Sequence, residues 1–318
     1  MTFDELNLLG QLELHPEAVV VRLVELRGFG GGDRASDLMV IADSQQYGSV
    51  LSPELAMRLL TDPTDAKPRT IMSEIGDAQA VNNGLACGGS VRVMVHPWGW
   101  LSEIEPYLGA RKAFALLTAL DAQGRPTQVR VVALGQSADD VAEQAAAALL
   151  ERGHAGVSVL NLEDGPVHIH CFLPRPRLVI VGGGVLADTL STQAQLIGIE
   201  AMGYDGVDGF PQVGRSDAVV VLDHDHERVT PLLHVLLSAT EVPYIGSLGS
   251  RGTQVERRRR LLECGCADQL ARIYGPAGLD IGSRSTEETA MAIVAEMVRV
   301  LRGRSGESLR DGSGPING

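Results

Sequence analysis

The segment RLVIV at 177–181 runs directly into Gly182, Gly183, Gly184, Val185, Leu186 and Ala187, which spell G-x-G-x-x-A. A β-branched run that ends on such a turn and continues with helical spacing folds most simply as strand, tight turn and helix. Each part has a physical task. One glycine permits the turn, another lets a phosphate approach the backbone, and the helix N-terminus presents unpaired N–H groups with a positive dipole end. Asp205 follows about twenty residues later, at the end of the next strand, IEAMGYD, where an acid takes a ribose hydroxyl. The alternative is that the glycines serve only close packing of strand on helix.

The rest of the C-terminal half extends this unit. DAVVVLDHD, VPYIGSLG and GLDIGSRSTEETAMAIVAEMVRVL alternate strand and helix in the manner of a parallel doubly wound sheet. PRPR at 174–177 precedes it, and two prolines in four residues favour an extended connector. The N-terminal half reads differently. AVVVRLVEL, DLMVIAD and SVRVMVH are strands, FALLTALD and TQVRVVAL form a hairpin about AQGRPT, and VSVLNLE and VHIHCFL are further strands. Ser52 with Pro53 opens one helix and Ser137 another. The expected architecture is therefore α/β: a mixed α+β domain over 1–173, a Rossmann-like parallel-sheet domain over 174–303, and a disordered tail over 304–318 lacking apolar periodicity.

Charge narrows the function. With 27 Lys+Arg against 40 Asp+Glu the net charge is −13, so phosphate backbones are repelled and no nucleic-acid partner is expected. No window approaches the roughly 18 uncharged apolar residues of a membrane span, and the N-terminus lacks a basic flank. A cytoplasmic location is expected. The four cysteines form no C-x-x-C pattern, so reduced thiols are expected rather than a disulfide framework or a closed zinc site.

Candidate ligand residues cluster at predicted strand ends. Asp223, His224 and Asp225 follow the strand at 218–222, where open α/β sheets bind ligands, although Asp225 also suits a helix cap. YIGSLGSRGT brings Gly246, Gly249, Ser250 and Arg251 before a helix, an anion nest in which Arg251 is expected to clamp a phosphate. The next four arginines, 257–260, spread around that helix, with Glu256 and Glu263 as ion-pair partners, and read mostly as a solvated face. Asp280 lies in a loop ahead of Ser285 and Glu288, which read as a capping box. His168 and His170 share a strand face opposite Cys171 and are expected to be solvated; Cys264 and Cys266 are expected to pack. Cys87, flanked by Gly88 and Gly89, reads as a mobile, accessible thiol able to meet a metal or a sulfur donor, though no partner base accompanies it.

Read together, LVIVGGG, VVVLDHD, PYIGSLGSRGTQVERRRRLLECG and IYGPAGLDIGSRSTEETAMAIVAEMV resemble the C-terminal half of the XdhC/CoxI family, accessory factors of xanthine dehydrogenase and related molybdenum hydroxylases. VVVRLVELRG and LACGGSVRVMVHP are similar more loosely, and the N-terminal domain is divergent: FGGGDR stands where the family commonly has Ser-Ala-Pro-Arg. The resemblance implies a cytoplasmic protein that binds the molybdenum cofactor, as molybdopterin or its dinucleotide form. It further implies protection of the cofactor while a cysteine desulfurase sulfurates it, and delivery to a hydroxylase of the xanthine dehydrogenase or CO dehydrogenase type. A homodimer is expected. In that frame the turn 182–187 and the loop 249–253 hold the phosphate end, with His224 and Cys87 toward the metal end. Two other readings remain: an NAD(P)-dependent oxidoreductase, which the turn and Asp205 favour, and a nucleotide-binding scaffold or sensor. Against the first, only Lys67 and Lys112 are present and no Tyr-x-x-x-Lys pair occurs.

Overall fold

The computed structural model describes residues 17–28, 38–43, 45–50, 65–82, 87–153, 155–205 and 210–311. The chain divides into two compact units, Met1–Pro174 and Arg175–Gly318.

The first unit contains two antiparallel sheets. One takes the order β3-β2-β1-β5-β4 from β1 (Val19–Gly28), β2 (Leu38–Ala42), β3 (Gln45–Ser49), β4 (Arg69–Ile75) and β5 (Gly89–Pro97). A short helix, α1 (Asp77–Asn82), precedes β5, and a 3-10 segment, Trp98–Ile104, followed by α2 (Glu105–Gly109), leads out of it. The second sheet, β7-β6-β9-β8, comprises β6 (Phe114–Leu120), β7 (Pro126–Ala133), β8 (Gly156–Leu162) and β9 (Gly165–Phe172). The hairpin read from FALLTALD and TQVRVVAL is β6–β7, paired from Phe114↔Ala133 to Leu120↔Pro126. α3 (Val141–Glu151) begins later than Ser137, because Asp140 is the cap that accepts from the Glu143 N–H. Alternation along the strands builds three layers of apolar side chains. Val20, Leu38 and Val40 of the first sheet meet Phe114, Leu116 and Phe172 of the second. Val19, Val21, Val93 and Val95 fill the outer face of the first sheet, and Ala115, Leu117 and Ile169 pack beneath Ala142, Ala146 and Leu150 of α3.

The histidines of β9 depart from the expectation of solvated positions. His168 and His170 are buried because their strand face points between the sheets. His168 borders a polar inclusion centred on Arg22, which is itself buried. Its Nε donates to His96 Nε2 at 2.9 Å and its Nη2 to Thr118 Oγ1 at 2.6 Å. Burial holds the guanidinium down at about 9, and burial followed by the Arg22 charge holds His96 at about 3. His168 is lowered to about 4 by burial and then by Arg92 and Arg22.

The second unit carries a parallel sheet in the order β11-β10-β12-β13-β14, from β10 (Arg177–Val181), β11 (Glu200–Tyr204), β12 (Ala218–Val221), β13 (Tyr244–Ser247) and β14 (Ile273–Tyr274). Its helices are α4 (Val185–Leu196), α5 (His226–Ala239), α6 (Arg251–Glu263) and α7 (Thr286–Leu301). Both faces are covered, which explains the near-continuous apolar strands. Val179, Val219 and Ile245 pack under Leu233, Leu236 and Leu261, whereas Leu178, Ile180 and Val220 pack under Leu190 and Ile293. The parallel-sheet reading of this half is borne out. Residues 304–308 carry no helix or strand, and Leu309–Asp311 makes a 3-10 turn, so this part of the presumed tail has defined structure. The Ser52 helix start and FGGGDR lie outside the described residues.

The Arg22 inclusion has a pH consequence. Folding keeps His96 and His168 neutral, while the unfolded chain protonates them near the ordinary value of about 6.5. Their contribution to stability is present above that value and is lost as pH falls toward about 4 and about 3. Denaturant titrations of His168→Gln should show a shallower loss of stability between those limits than the parent; an unchanged acid limb would contradict the assignment.

Candidate functional site

Strand order 2-1-3-4-5 places the topological switch between β10 and β12, where chain connections leave in opposite directions and open a crevice beyond the strand ends. The G-x-G-x-x-A turn lies there. Gly182 and Gly184 adopt φ of 100° and 94°, values that favour glycine. A Cβ on Gly182 meets the Asp223 N at 3.3 Å, so this glycine is required by the close approach of the β12 loop. A Cβ on Gly183 or Gly184 meets nothing within 4 Å. Gly184 is the N-cap of α4, with no side chain capping the helix. The Ala187 N–H donates to the Gly184 carbonyl at 2.9 Å, whereas the Val185 and Leu186 N–H groups have no acceptor among the described residues, the arrangement an anion needs. Val185, the first residue of α4, is exposed beside them.

The loop after β12 is internally braced. The Asp223 carboxylate accepts from the Asp225 N–H at 2.9 Å, and the Asp225 carboxylate accepts from the Glu227 N–H at 2.9 Å, capping α5. Asp225 is thus a helix cap, the plainer of its two sequence readings. His224 between them is exposed. Arg228 bridges Asp223 and Asp205, at 3.4 and 2.9 Å. Asp205 remains 91% exposed at the side chain, yet the group expected to meet a ribose is already paired with a cation.

The residue that ties the β12 loop to the end of β13 is Arg257, which the run of four arginines concealed. Arg259 and Arg260 follow the solvated-face expectation, pairing with Glu256, Glu263 and Glu227. Arg257 instead points inward and is 1% exposed. Its Nη1 donates to Ser247 Oγ and, at 3.0 Å, to the Leu248 carbonyl; its Nη2 donates to the Asp223 carbonyl at 3.3 Å. One guanidinium therefore joins the ends of β12 and β13. Burial lowers its pKa, partly opposed by Asp223. Its position on the buried side of α6, one turn before Leu261, was the available sequence signal.

The Gly-Ser loop is divided between structural tasks. Gly246 sits within β13, where a Cβ would meet the Tyr244 ring, so it serves packing inside the strand. Ser250 caps α6 by accepting from the Thr253 N–H at 3.2 Å. Gly249, at φ 131°, turns the chain toward it. Arg251, the first residue of α6, is exposed; no hydrogen bond or ion pair joins it to the 182–187 turn among the described residues. Asp280 is exposed in its loop, whose base is pinned by Glu296: that carboxylate accepts from the Gly278 N–H at 2.9 Å and from the Tyr244 hydroxyl at 2.9 Å. Glu296 is buried, a role invisible in AIVAEMV. Ser285 and Glu288 form the expected capping box. In the first unit, Cys87 is a half-buried free thiol, and the following Gly88 N–H donates to Asp77 Oδ1 at 2.8 Å. Cys266 packs against His234 Nδ1 at 3.2 Å, its thiol raised by burial. No group of three His, Cys, Asp or Glu among the described residues is arranged to hold a metal ion.

Sheet order, turn and helix together define a doubly wound α/β domain of the Rossmann type. Residues 178–297 match the family model of the XdhC Rossmann domain. The match bears out the resemblance carried by the motifs of the C-terminal unit. A protein of Bacillus subtilis described as a probable xanthine dehydrogenase component is 27% identical over 194 residues, which cover 48% of this chain and 57% of that protein. A crystal structure of a xanthine dehydrogenase from Bacillus halodurans aligns over 97% of this chain and 98% of that one, with a TM-score of 0.61 and 22% identity, a likeness of fold.

Two substitutions probe the crevice. Arg257→Met strands the Leu248 and Asp223 carbonyls and should cost about 2–4 kcal/mol in denaturant titration. Gly182→Ala should cost more than Gly184→Ala, because both meet about 1–3 kcal/mol of backbone strain but only the former crowds Asp223. Equal costs would refute the close-approach argument.

Proposed function

We propose that this protein is an accessory factor of a xanthine dehydrogenase type molybdenum hydroxylase that holds the molybdenum cofactor during its maturation. The observation that carries the reading is the XdhC Rossmann match across a domain whose 182–185 turn offers an uncapped helix N-terminus and clear space above Gly183 and Gly184. A phosphate or pyrophosphate fits that cradle: the backbone supplies donors, and no side chain stands in the way. Gly182, Gly183, Gly184 and Val185 would hold the phosphate end, with Asp223 and His224 at the neighbouring loop. When bound, the cofactor supplies the molybdenum centre that the hydroxylase uses. The protein's own contribution is to fix the phosphate end. Arg257 keeps the Asp223 loop against the end of β13, which holds the β12 wall of the crevice in place. Sulfuration by a cysteine desulfurase and transfer to the hydroxylase are the steps such a holder serves.

The pairing of Asp205 with Arg228 weighs against the nicotinamide alternative, because a ribose hydroxyl must compete with a guanidinium for that carboxylate. The test is anaerobic incubation with molybdenum cofactor, then gel filtration with assay of molybdenum and released pterin, and a parallel NADH titration. Stoichiometric molybdenum and pterin are expected, and Gly184→Val, which fills the cradle, should weaken retention at least about tenfold, the loss of roughly one charge-assisted contact. Retention of NADH alone would overturn the proposal.

A further inference from the structure

The exposed side of α6 forms one wall of a groove of about 340 Å³ that the crevice does not use. Arg251 and Arg258 stand seven residues apart on this wall, about 10 Å along the helix axis, with Val255 between them. Leu270 and Ile273 line the groove beyond. Its charges are uncommitted. Arg259 and Arg260 are neutralised by glutamates, whereas Arg251 and Arg258 make no ion pair or hydrogen bond among the described residues. Val255 is 70% exposed, and Arg257, whose buried Nε has no acceptor among the described residues, also borders the groove. On a chain of net charge −13, two free arginines flanking an exposed valine form a local cationic, partly apolar trough.

We infer that this groove docks an acidic peptide segment of a partner protein, carrying a large apolar residue between two carboxylates. The spacing matches this occupant: three residues of polyproline II backbone make one turn of about 9 Å, so carboxylates at i and i+3 share a face and meet Arg251 and Arg258 while an intervening aliphatic side chain leans against Val255. Charge complementarity selects the class, because two uncommitted arginines on a chain of net charge −13 favour an acidic segment over a basic one at this groove. Gly275 and Pro276 follow the two-residue edge strand β14, and proline cannot donate to an added strand, so docking runs through side chains. The inference does not rest on cofactor binding.

The test uses the full chain and a fluorescein-labelled peptide, Gly-Asp-Leu-Ile-Glu-Gly, read by anisotropy against salt. Saturable binding that weakens as salt rises is expected. The double variant R251E/R258E should lose at least about tenfold in affinity, because two attractive contacts become repulsive, and V255D should also weaken binding. Circular dichroism of these surface variants should match the parent. Equal affinity for the lysine counterpart Gly-Lys-Leu-Ile-Lys-Gly, equal affinity for a peptide with both aliphatic residues changed to glycine, or unaltered binding by R251E/R258E would each overturn the proposal. Displacement of the peptide by millimolar inorganic phosphate at constant ionic strength would also overturn it, in favour of a simple anion site.

Discussion

One buried guanidinium sets the geometry of the C-terminal domain's working edge. Parallel strands end without a hairpin to fix their termini, so the loops beyond them need another brace. Arg257 provides it by donating across β12 and β13 to Asp223, Ser247 and Leu248. Its cost is desolvation of a charge with no carboxylate in direct hydrogen-bond contact, met by neutral acceptors and the nearby Asp223. With the Asp223 loop fixed, the close approach that demands glycine at 182 follows, and so does the crevice at the switch point.

The first unit uses the same device for a different purpose. Arg22 lies between two sheets rather than at a strand end, and its acceptors are an imidazole and a hydroxyl. Such an inclusion restricts sliding of the sheets, because each hydrogen bond has one satisfied register, which a purely apolar interface would not impose. In both units, then, a buried arginine does the orienting, while the apolar layers supply most of the favourable burial.

The sequence disclosed what depends on periodicity and local turn chemistry. The strand β10, the turn at 182–184, the capping box at Ser285 and the β6–β7 hairpin were legible because each is a short-range pattern. It was silent on what depends on which way a polar side chain points. Arg257 among four arginines and His168 and His170 on a strand read as solvated, Glu296 in an apolar helix drew no reading, and all four are buried. Strand β4 and the two-residue β14 were missed because one is half polar, the other is only two residues long, and the pairing of both is tertiary. Of the candidate ligand residues, Gly182, Gly184 and Asp223 come together, Asp225 and Ser250 are helix caps, Gly246 is a packing glycine, and Arg251 faces a separate groove.

The central claim is that the open N-terminus of α4 receives the phosphate end of the cofactor. Amide hydrogen exchange of the full chain, with and without molybdenum cofactor under anaerobic conditions, addresses it most directly. The account predicts slowed exchange at Gly183, Gly184, Val185 and Leu186 on addition of the cofactor, with the Asp223–Asp225 loop protected alongside. Protection elsewhere in the chain with those four amides unchanged would contradict it.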